Sequence, residues 1–300
     1  MKIPSTFLGT ILLLTLASGA RAATDYCTLT ANDALRGCKP DAAGGYWVAV
    51  GKCDNIADAG DRRDCKDEAS ADKADELDLC NEQLAARLDA CEHLGPDTYE
   101  PAIDPANFVS VIDNPFFPLV PGTTFISEGG GEHVEFAVTH NTKKILGVTC
   151  VEVHDTVTVG GELAEDTLDW FAQDRDGNVW YLGEDSSNFE HGRWVKDDGS
   201  WQAGVGNGQP GIIMLAHPHR GDAYRQEYSP GHAVDQAQVL GGGGAVKTPY
   251  RHFKRTLLTL EYSTIDKQYE LKWHGRGVGV IKEQAITKSK ELSRLVAIRR

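Results

Sequence analysis

The chain has 300 residues, a formal net charge of −14 at pH 7 and a hydrophobic fraction of 41%. This length allows one large domain or two modest ones, each able to bury a core. The acidic balance repels polyanions, so we expect no nucleic-acid partner.

The first 22 residues have the layout of a secretory signal peptide. Lys2 is basic, the run from Phe7 to Leu16 is apolar, and small residues stand at Ala20 and Ala22. The apolar run is shorter than the ~20 residues that a membrane-spanning helix needs, and no later segment is long and apolar enough. We therefore predict that residues 1–22 are a signal peptide, that the mature chain has no transmembrane segment, and that it is exported to the periplasm or the extracellular space.

Six of the seven cysteines lie in residues 23–95, where gaps of 10, 14, 11, 14 and 10 residues separate them. This palindromic series is what an antiparallel helical hairpin with stacked cross-links would produce, whereas zinc favours short C-x₂₋₄-C pairs. The stretch from Asp61 to Leu94 lacks Gly and Pro, which predicts one long helix. The other arm is expected to break near Pro40 and Gly44-Gly45. The predicted bridges are Cys27–Cys91, Cys38–Cys80 and Cys53–Cys65.

The remainder of the chain is predicted to be a linker and a β domain. Residues 96–121 are rich in Pro, Asn and Asp, which indicates an extended linker. Its apolar residues are expected to cover the following domain. They are Phe108, Val109, Val111, Ile112, Phe116, Phe117 and Leu119. Residues 122–300 alternate short β-prone runs with turn residues, and the glycine run at 241–244 predicts a loop. The fold class is thus α+β: a small disulfide-stapled helical hairpin followed by a mainly antiparallel β half-barrel or sandwich.

Residues 107–300 resemble an uncharacterised family of secreted bacterial proteins. The segments that carry this resemblance include DNPFFPLVPGTTF, DWFAQDRDGNVWYLGED and YRQEY. The resemblance implies no established activity. The closing segment HGRGVGVIKEQAITKSKELSRLVAI is similar to the final hairpins of lipoprotein-carrier-like half-barrels. That second resemblance implies a curved antiparallel sheet around an apolar groove.

Acidic and aromatic side chains are densest in a predicted hairpin from Gly161 to Asp185. A two-residue turn at Asp176-Gly177 would pair Gln173 with Trp180, whereas a three-residue turn with a left-handed Gly177 would pair Gln173 with Val179.

Under the two-residue turn, strand alternation puts Glu165, Asp169 and Glu184 on one face, where they would repel one another unless a cation or a proton relieved them. Such a cluster could be a solvated surface, a Ca²⁺ site or the paired carboxylates of a glycoside hydrolase.

Aromatic residues are concentrated between positions 170 and 228, beside glycine-rich loops. A groove lined by Trp and Tyr with a few acids is typical of sites for sugars or amphiphilic small molecules. The predicted ligand-binding residues are Glu165, Asp169, Trp170, Trp180, Tyr181, Glu184, Tyr224, Glu227 and Tyr228. His217 and His219 are two apart in an extended segment, so they are candidate metal ligands, although exposed loop histidines are common. Cys150 is predicted to be a buried, inert thiol.

The sequence has no G-x-S-x-G elbow, no P-loop and no G-x-G-x-x-G directly after a predicted strand, so we assign no catalytic residue and no cofactor from the sequence. The leading hypothesis is an exported protein that binds an amphiphilic small molecule or saccharide in a groove of the β domain. One alternative is a polysaccharide hydrolase or lyase that uses the clustered carboxylates, assisted by Tyr228 or His219. The other is a structural envelope or docking protein.

Overall fold

The structure, a computed structural model, describes residues 24–190, 192–263, 269–286 and 292–300. The predicted signal peptide lies outside these residues. The described chain begins with α1 (Tyr26–Cys53) and α2 (Ala59–Leu94) and continues into a sheet of 15 strands. The strands are β1 (Phe108–Val109), β2 (Thr124–Gly129), β3 (Glu132–Ile145), β4 (Val148–Val159), β5 (Glu162–Asp174), β6 (Val179–Glu190), β7 (Arg193–Lys196), β8 (Trp201–Gln202), β9 (Gly211–Met214), β10 (Ala223–Arg225), β11 (Asp235–Lys247), β12 (His252–Ser263), β13 (Tyr269–Gly275), β14 (Gly279–Ala285) and β15 (Leu292–Arg299).

The two helices form an antiparallel hairpin that three disulfides hold together. Each helix begins at an aspartate whose carboxylate accepts a backbone N–H of the first turn: Asp25 from Thr28 at 2.9 Å, and Asp58 from Asp61 at 3.0 Å. The disulfides are Cys27–Cys91, Cys38–Cys80 and Cys53–Cys65. These are the nested pairs that the spacing predicts. Neither helix has an apolar stretch that could span a bilayer, and the described residues contain no other α-helix.

Helix α1 continues through Pro40 and Gly44-Gly45, so the predicted break is wrong. A proline inside a helix removes one backbone donor. Here the Cys38–Cys80 disulfide ties the neighbouring turn to α2, and Ala42 is buried against the hairpin. Covalent cross-links and packing therefore outweigh the local preference of the sequence.

All pairs in the sheet are antiparallel, and the sheet is open, with order β10-β11-β12-β13-β14-β15-β2-β3-β4-β5-β6-β7. The short strands β1, β8 and β9 pair with β5, β6 and β6. The sheet is curved, because Val153 and Phe171 from one half share a single core with Ala237, Val239 and Leu257 from the other. The predicted antiparallel half-barrel class is confirmed.

The segment before β2, residues 110–121, enters this core and covers one side of it; we call it the covering segment. Ile112 and Leu119 are buried in this core, and Phe117 packs against it, as the apolar pattern predicts. Polar contacts fix the segment on β5 and the turn that follows it. The Gln173 Oε1 atom accepts the backbone N–H of Asn114 at 2.9 Å, and the Asn114 Nδ2 atom donates to the Gly177 carbonyl at 2.8 Å. Val111, by contrast, is exposed.

The glycine run at 241–244 belongs to strand β11, so the predicted loop is wrong. Register shifts interrupt its pairing with β12 between Val239 and Gly241, and again on both sides of Gly244. A Cβ at Gly243 would lie 2.6 Å from the Thr256 Oγ1 and from the Trp273 ring. The glycines therefore allow a bulged strand to approach its neighbours closely.

Because this close approach is specific to one glycine, two neighbouring substitutions should differ. Gly243→Ala should lower the free energy of unfolding by about 1–3 kcal/mol, since the new methyl group overpacks against Trp273. Gly242→Ala should have little effect, because nothing lies within 4 Å of its Cβ position. Urea denaturation of both variants measures the difference, and equal stabilities would contradict this account of β11.

Candidate functional site

A cavity of about 410 Å³ lies between β2–β6 on one side and β13–β15 on the other. The covering segment, through residues 117–119, closes part of it. Its lining combines phenylalanine rings, carboxylates and one ammonium group. The apolar and aromatic lining includes Phe117, Leu119, Phe125, Val134, Phe136, Val157, Phe171, Tyr181 and Ile213, and the charged lining consists of Glu132, Asp155, Glu165, Asp169, Lys272 and Glu283. This volume is in the range of small-molecule sites in proteins.

The aromatic side of the cavity is a connected cluster of rings. Phe171 stacks on Tyr181 with ring centroids 4.6 Å apart, and Phe117 packs edge-on against Phe171 at 5.4 Å. Phe136 lies 6.4 Å from both Phe171 and Phe125. Such pairs hold each other in place, so this wall is preformed.

A bulge in β6 decides which acids share a face. The three-residue turn is the one adopted: Gln173 pairs with Val179, and Gly177 has a φ of 99°. Between Trp170 and Phe171, however, the register shifts, and Asp169 comes to lie opposite Glu184. The bulge therefore places Asp169 opposite Glu184, as a two-residue turn would have done.

The Tyr181 phenol joins the two facing acids. Its hydroxyl donates to Asp169 Oδ1 and also lies 2.9 Å from Glu184 Oε2. Burial raises the pKa of Asp169 well above its usual range, and the nearby Asp155 raises it further. Burial likewise raises the pKa of Glu184 to about 7. These two facing acids therefore bind protons more readily than exposed carboxylates do.

Asp155, on β4, faces the same acids from the neighbouring strand. It lies opposite Thr167, between Glu165 and Asp169 along β5. In the described part of the chain, its buried Oδ1 atom has no hydrogen-bond partner. Burial raises the pKa of Asp155 to about 7, and the charges of Glu165 and Glu283 add to the effect.

On the opposite wall, Lys272 is surrounded by carboxylates. Its Nζ atom lies 3.2 Å from Glu261, 3.7 Å from Glu270 and 3.8 Å from Glu283. Burial lowers the pKa of Lys272, but these three acids outweigh it and hold the pKa well above its usual value. Lys272 is therefore charged, and its charge is already neutralised locally.

Of the predicted ligand-binding residues, the structure brings Glu165, Asp169 and Tyr181 to the cavity, with Glu184 adjoining them. The two tryptophans do not reach it. The Trp170 ring lies under Lys143 Nζ, 3.3 Å from the ring centroid, and Trp180 donates to Asp174 at 2.8 Å.

The three remaining predicted residues lie toward the β10 edge of the sheet. Tyr224 is buried, and its hydroxyl has no hydrogen-bond partner among the described residues. Burial raises the pKa of Glu227 well above its usual value, and the charges of Asp235 and Glu184 raise it further. Tyr228 packs edge-on against the Tyr99 ring at 5.2 Å. These residues do not line the cavity.

His217 and His219 are both exposed, in the segment between β9 and β10. His219 Nδ1 lies 3.7 Å from Asp222. Within the described ranges, no group of three or more His, Cys, Asp or Glu side chains is arranged to hold a metal ion. The metal-binding role of this pair stays a prediction. Cys150 is buried and unpaired, and burial raises the pKa of its thiol to about 12, as expected for an inert cysteine.

Sequence reasoning missed Asp155, Lys272 and Glu283. Each occupies an inward position on a strand, where an apolar residue would normally stand. Strand alternation could have flagged them as inward charges. Their meeting in space depends on the curvature of the whole sheet, which no local pattern encodes.

The raised pKa of Asp155 predicts that the free energy of unfolding depends on pH. The folded state keeps this proton up to about pH 7, whereas the unfolded chain loses it near the usual pKa of 3.8. The contribution of Asp155 to the free energy of unfolding therefore falls as pH rises between these values. The substitution Asp155→Asn removes this pH-dependent loss of stability, because asparagine does not ionise. The variant should gain stability relative to the wild type by roughly 2–3 kcal/mol between pH 5 and pH 8.

Chemical denaturation at the two pH values tests this prediction. Glu162→Gln, which neutralises an exposed acid at the start of β5, is the matched control. An Asp155→Asn variant whose stability runs parallel to that of the wild type at both pH values would show that Asp155 ionises freely in the folded protein.

No protein-family model and no curated protein matches the chain. Among solved structures, the chain is similar to a putative lipoprotein from Parabacteroides distasonis ATCC 8503, at 14% sequence identity and a TM-score of 0.28, covering 61% of this chain and 98% of that one. A likeness of this degree carries no argument about function. The resemblance to a secreted bacterial family stays a prediction.

Proposed function

We propose that this protein binds an amphiphilic small molecule in the cavity of its curved β-sheet. The observation that carries the proposal is the cavity itself, an unfilled space of about 410 Å³ with rings on one side and carboxylates on the other. A sheet stabilised only by packing would fill its interior with apolar side chains. Amphiphilic ligands need both kinds of lining.

Binding is favoured over hydrolysis by the position of Tyr181. The acids Asp169 and Glu184 both contact the same phenol oxygen. Paired carboxylates of glycoside hydrolases stand on either side of the bond that they cleave. Here the Tyr181 hydroxyl engages both acids, so this pair is not free to act on a glycosidic bond.

The three disulfides support an extracytoplasmic location, because such bonds persist in oxidising compartments. Together with the predicted signal peptide, they favour a protein that works in the periplasm or outside the cell. In this arrangement residues 23–95 serve as a rigid module beside the binding domain of residues 122–300, with residues 96–121 as the linker between them.

Filling the cavity should abolish binding. Val157→Phe places a ring in the cavity, whereas Thr156→Phe, one residue away on β4, points to the other face of the sheet. Each protein is purified from its native host and examined by native mass spectrometry for retained small molecules. We expect a bound species on the wild type and on Thr156→Phe, and at least a tenfold lower occupancy on Val157→Phe. Thermal unfolding checks that both variants are folded.

Two results would contradict the proposal: equal occupancy in the two folded variants, or no retained molecule on any of the three proteins together with no binding of the amphiphilic probes described below.

A further inference from the structure

Building on the proposed binding function, we infer that the ligand is an organic cation. Its ammonium group would lie against Asp155, Glu165 and Asp169, and its apolar part against the phenylalanine wall. The distribution of charge over the two walls of the cavity favours one chemical class of ligand, alkylammonium or aralkylammonium compounds.

The acids on β4 and β5 have no cation of their own. Within the described residues, no Lys, Arg or His lies within ion-pair distance of Asp155, Glu165 or Asp169, and the nearby Lys272 is held by Glu261 at 3.2 Å. Glu165 accepts the Thr167 hydroxyl at 2.8 Å. The protein therefore compensates their negative charge only in part, through the longer-range effect of Lys272 on Asp155.

The second observation is the orphaned carboxylate oxygen of Asp155. Oδ1 of this residue is buried and has no hydrogen-bond partner among the described residues. A buried carboxylate oxygen without a donor is costly. Asp155 lines the cavity, so a positively charged group in the cavity would offset part of this cost.

The aromatic wall favours an organic cation over a bare ion. Phe136, Phe171 and Tyr181 line the same space as the acids. Ammonium groups are attracted to aromatic ring faces, and their alkyl substituents are desolvated against such rings. A metal ion would use neither the rings nor the volume, and within the described chain no set of three or more ligating side chains is arranged to hold one. An anionic ligand would be repelled by the carboxylates.

Protons are the competitor for this site. Burial raises the pKa of Asp155 to about 7, and Asp155 faces Glu165 and Asp169 on β5, Lys272 on β13 and Glu283 on β14. At neutral pH part of the cluster is thus protonated, and an arriving cation displaces those protons. Binding should therefore release protons to the solvent near pH 6.5 and tighten as pH rises toward 8.

Three probes that share an octyl chain but differ in head group separate the three ligand classes: n-octylammonium, n-octyl glucoside and octanoate, each used below its micelle-forming concentration. Isothermal titration calorimetry at pH 8 should give at least tenfold tighter binding for the ammonium probe than for the other two. Repeating the titration at pH 6.5 in buffers of different ionisation enthalpy counts the released protons.

A double variant and a matched control test whether Asp155 and Glu165 cause the preference for the ammonium probe. In the double variant Asp155→Asn with Glu165→Gln, the preference for the ammonium probe should fall at least tenfold, whereas the exposed control Glu162→Gln should keep it. Thermal unfolding confirms that each variant folds. The inference is overturned if the glucoside or the octanoate binds as tightly as the ammonium probe, or if the double variant retains the preference. Failure of all three probes to bind would instead count against the proposed function.

Discussion

The site depends on one backbone feature, the bulge that Leu182 and Gly183 make in β6. Gly183 has a φ of 146°, and a Cβ there would lie 2.6 Å from the Trp201 carbonyl oxygen of β8. Only glycine tolerates both conditions. Because the bulge adds one residue, Tyr181 and Glu184 lie on the same face although they are three apart, and the phenol meets Asp169 across the strand pair. Without the bulge, Glu184 would point away from the cavity.

The inner face of the sheet carries more charge than folding requires. Lys272 has three carboxylates around its one positive charge, and such a buried network is at best a modest source of stability. The Asp155 Oδ1 atom has no hydrogen-bond partner among the described residues, and burying this acid costs free energy. Apolar residues at the same positions would pack the core more stably. Local costs of this kind are typical of functional sites, which is why the cavity, and not the helical hairpin, is the site to test first.

The sequence predicts features that depend on local pattern and fails where long-range packing decides. The long helix α2 and the nested cysteine pairs follow from composition and spacing. The three-residue turn was one of two options for the hairpin. By itself this turn would move Glu184 out of register with Asp169, and the bulge in β6 brings the two acids opposite each other again. The bulge lies where β6 pairs with β8, so the sequence of β6 alone does not predict it. The glycine run at 241–244 resembles a loop in the sequence. The structure needs glycine there because the Trp273 ring approaches closely, and that ring lies on another strand.

The covering segment links the stability of the fold to the shape of the cavity. Phe117 and Leu119 form part of the cavity wall, yet they belong to a stretch with almost no regular structure. Apolar burial and polar contacts hold that stretch together: Ile112 and Leu119 are buried in the core, Asn114 donates to the Gly177 and Leu215 carbonyls, and Gln173 accepts two of its backbone N–H groups. Gln173 lies on the same face of β5 as Asp169. The strand that presents Glu165 and Asp169 therefore also fixes the covering segment, so β5 contributes both to the chemistry of the cavity and to its dimensions.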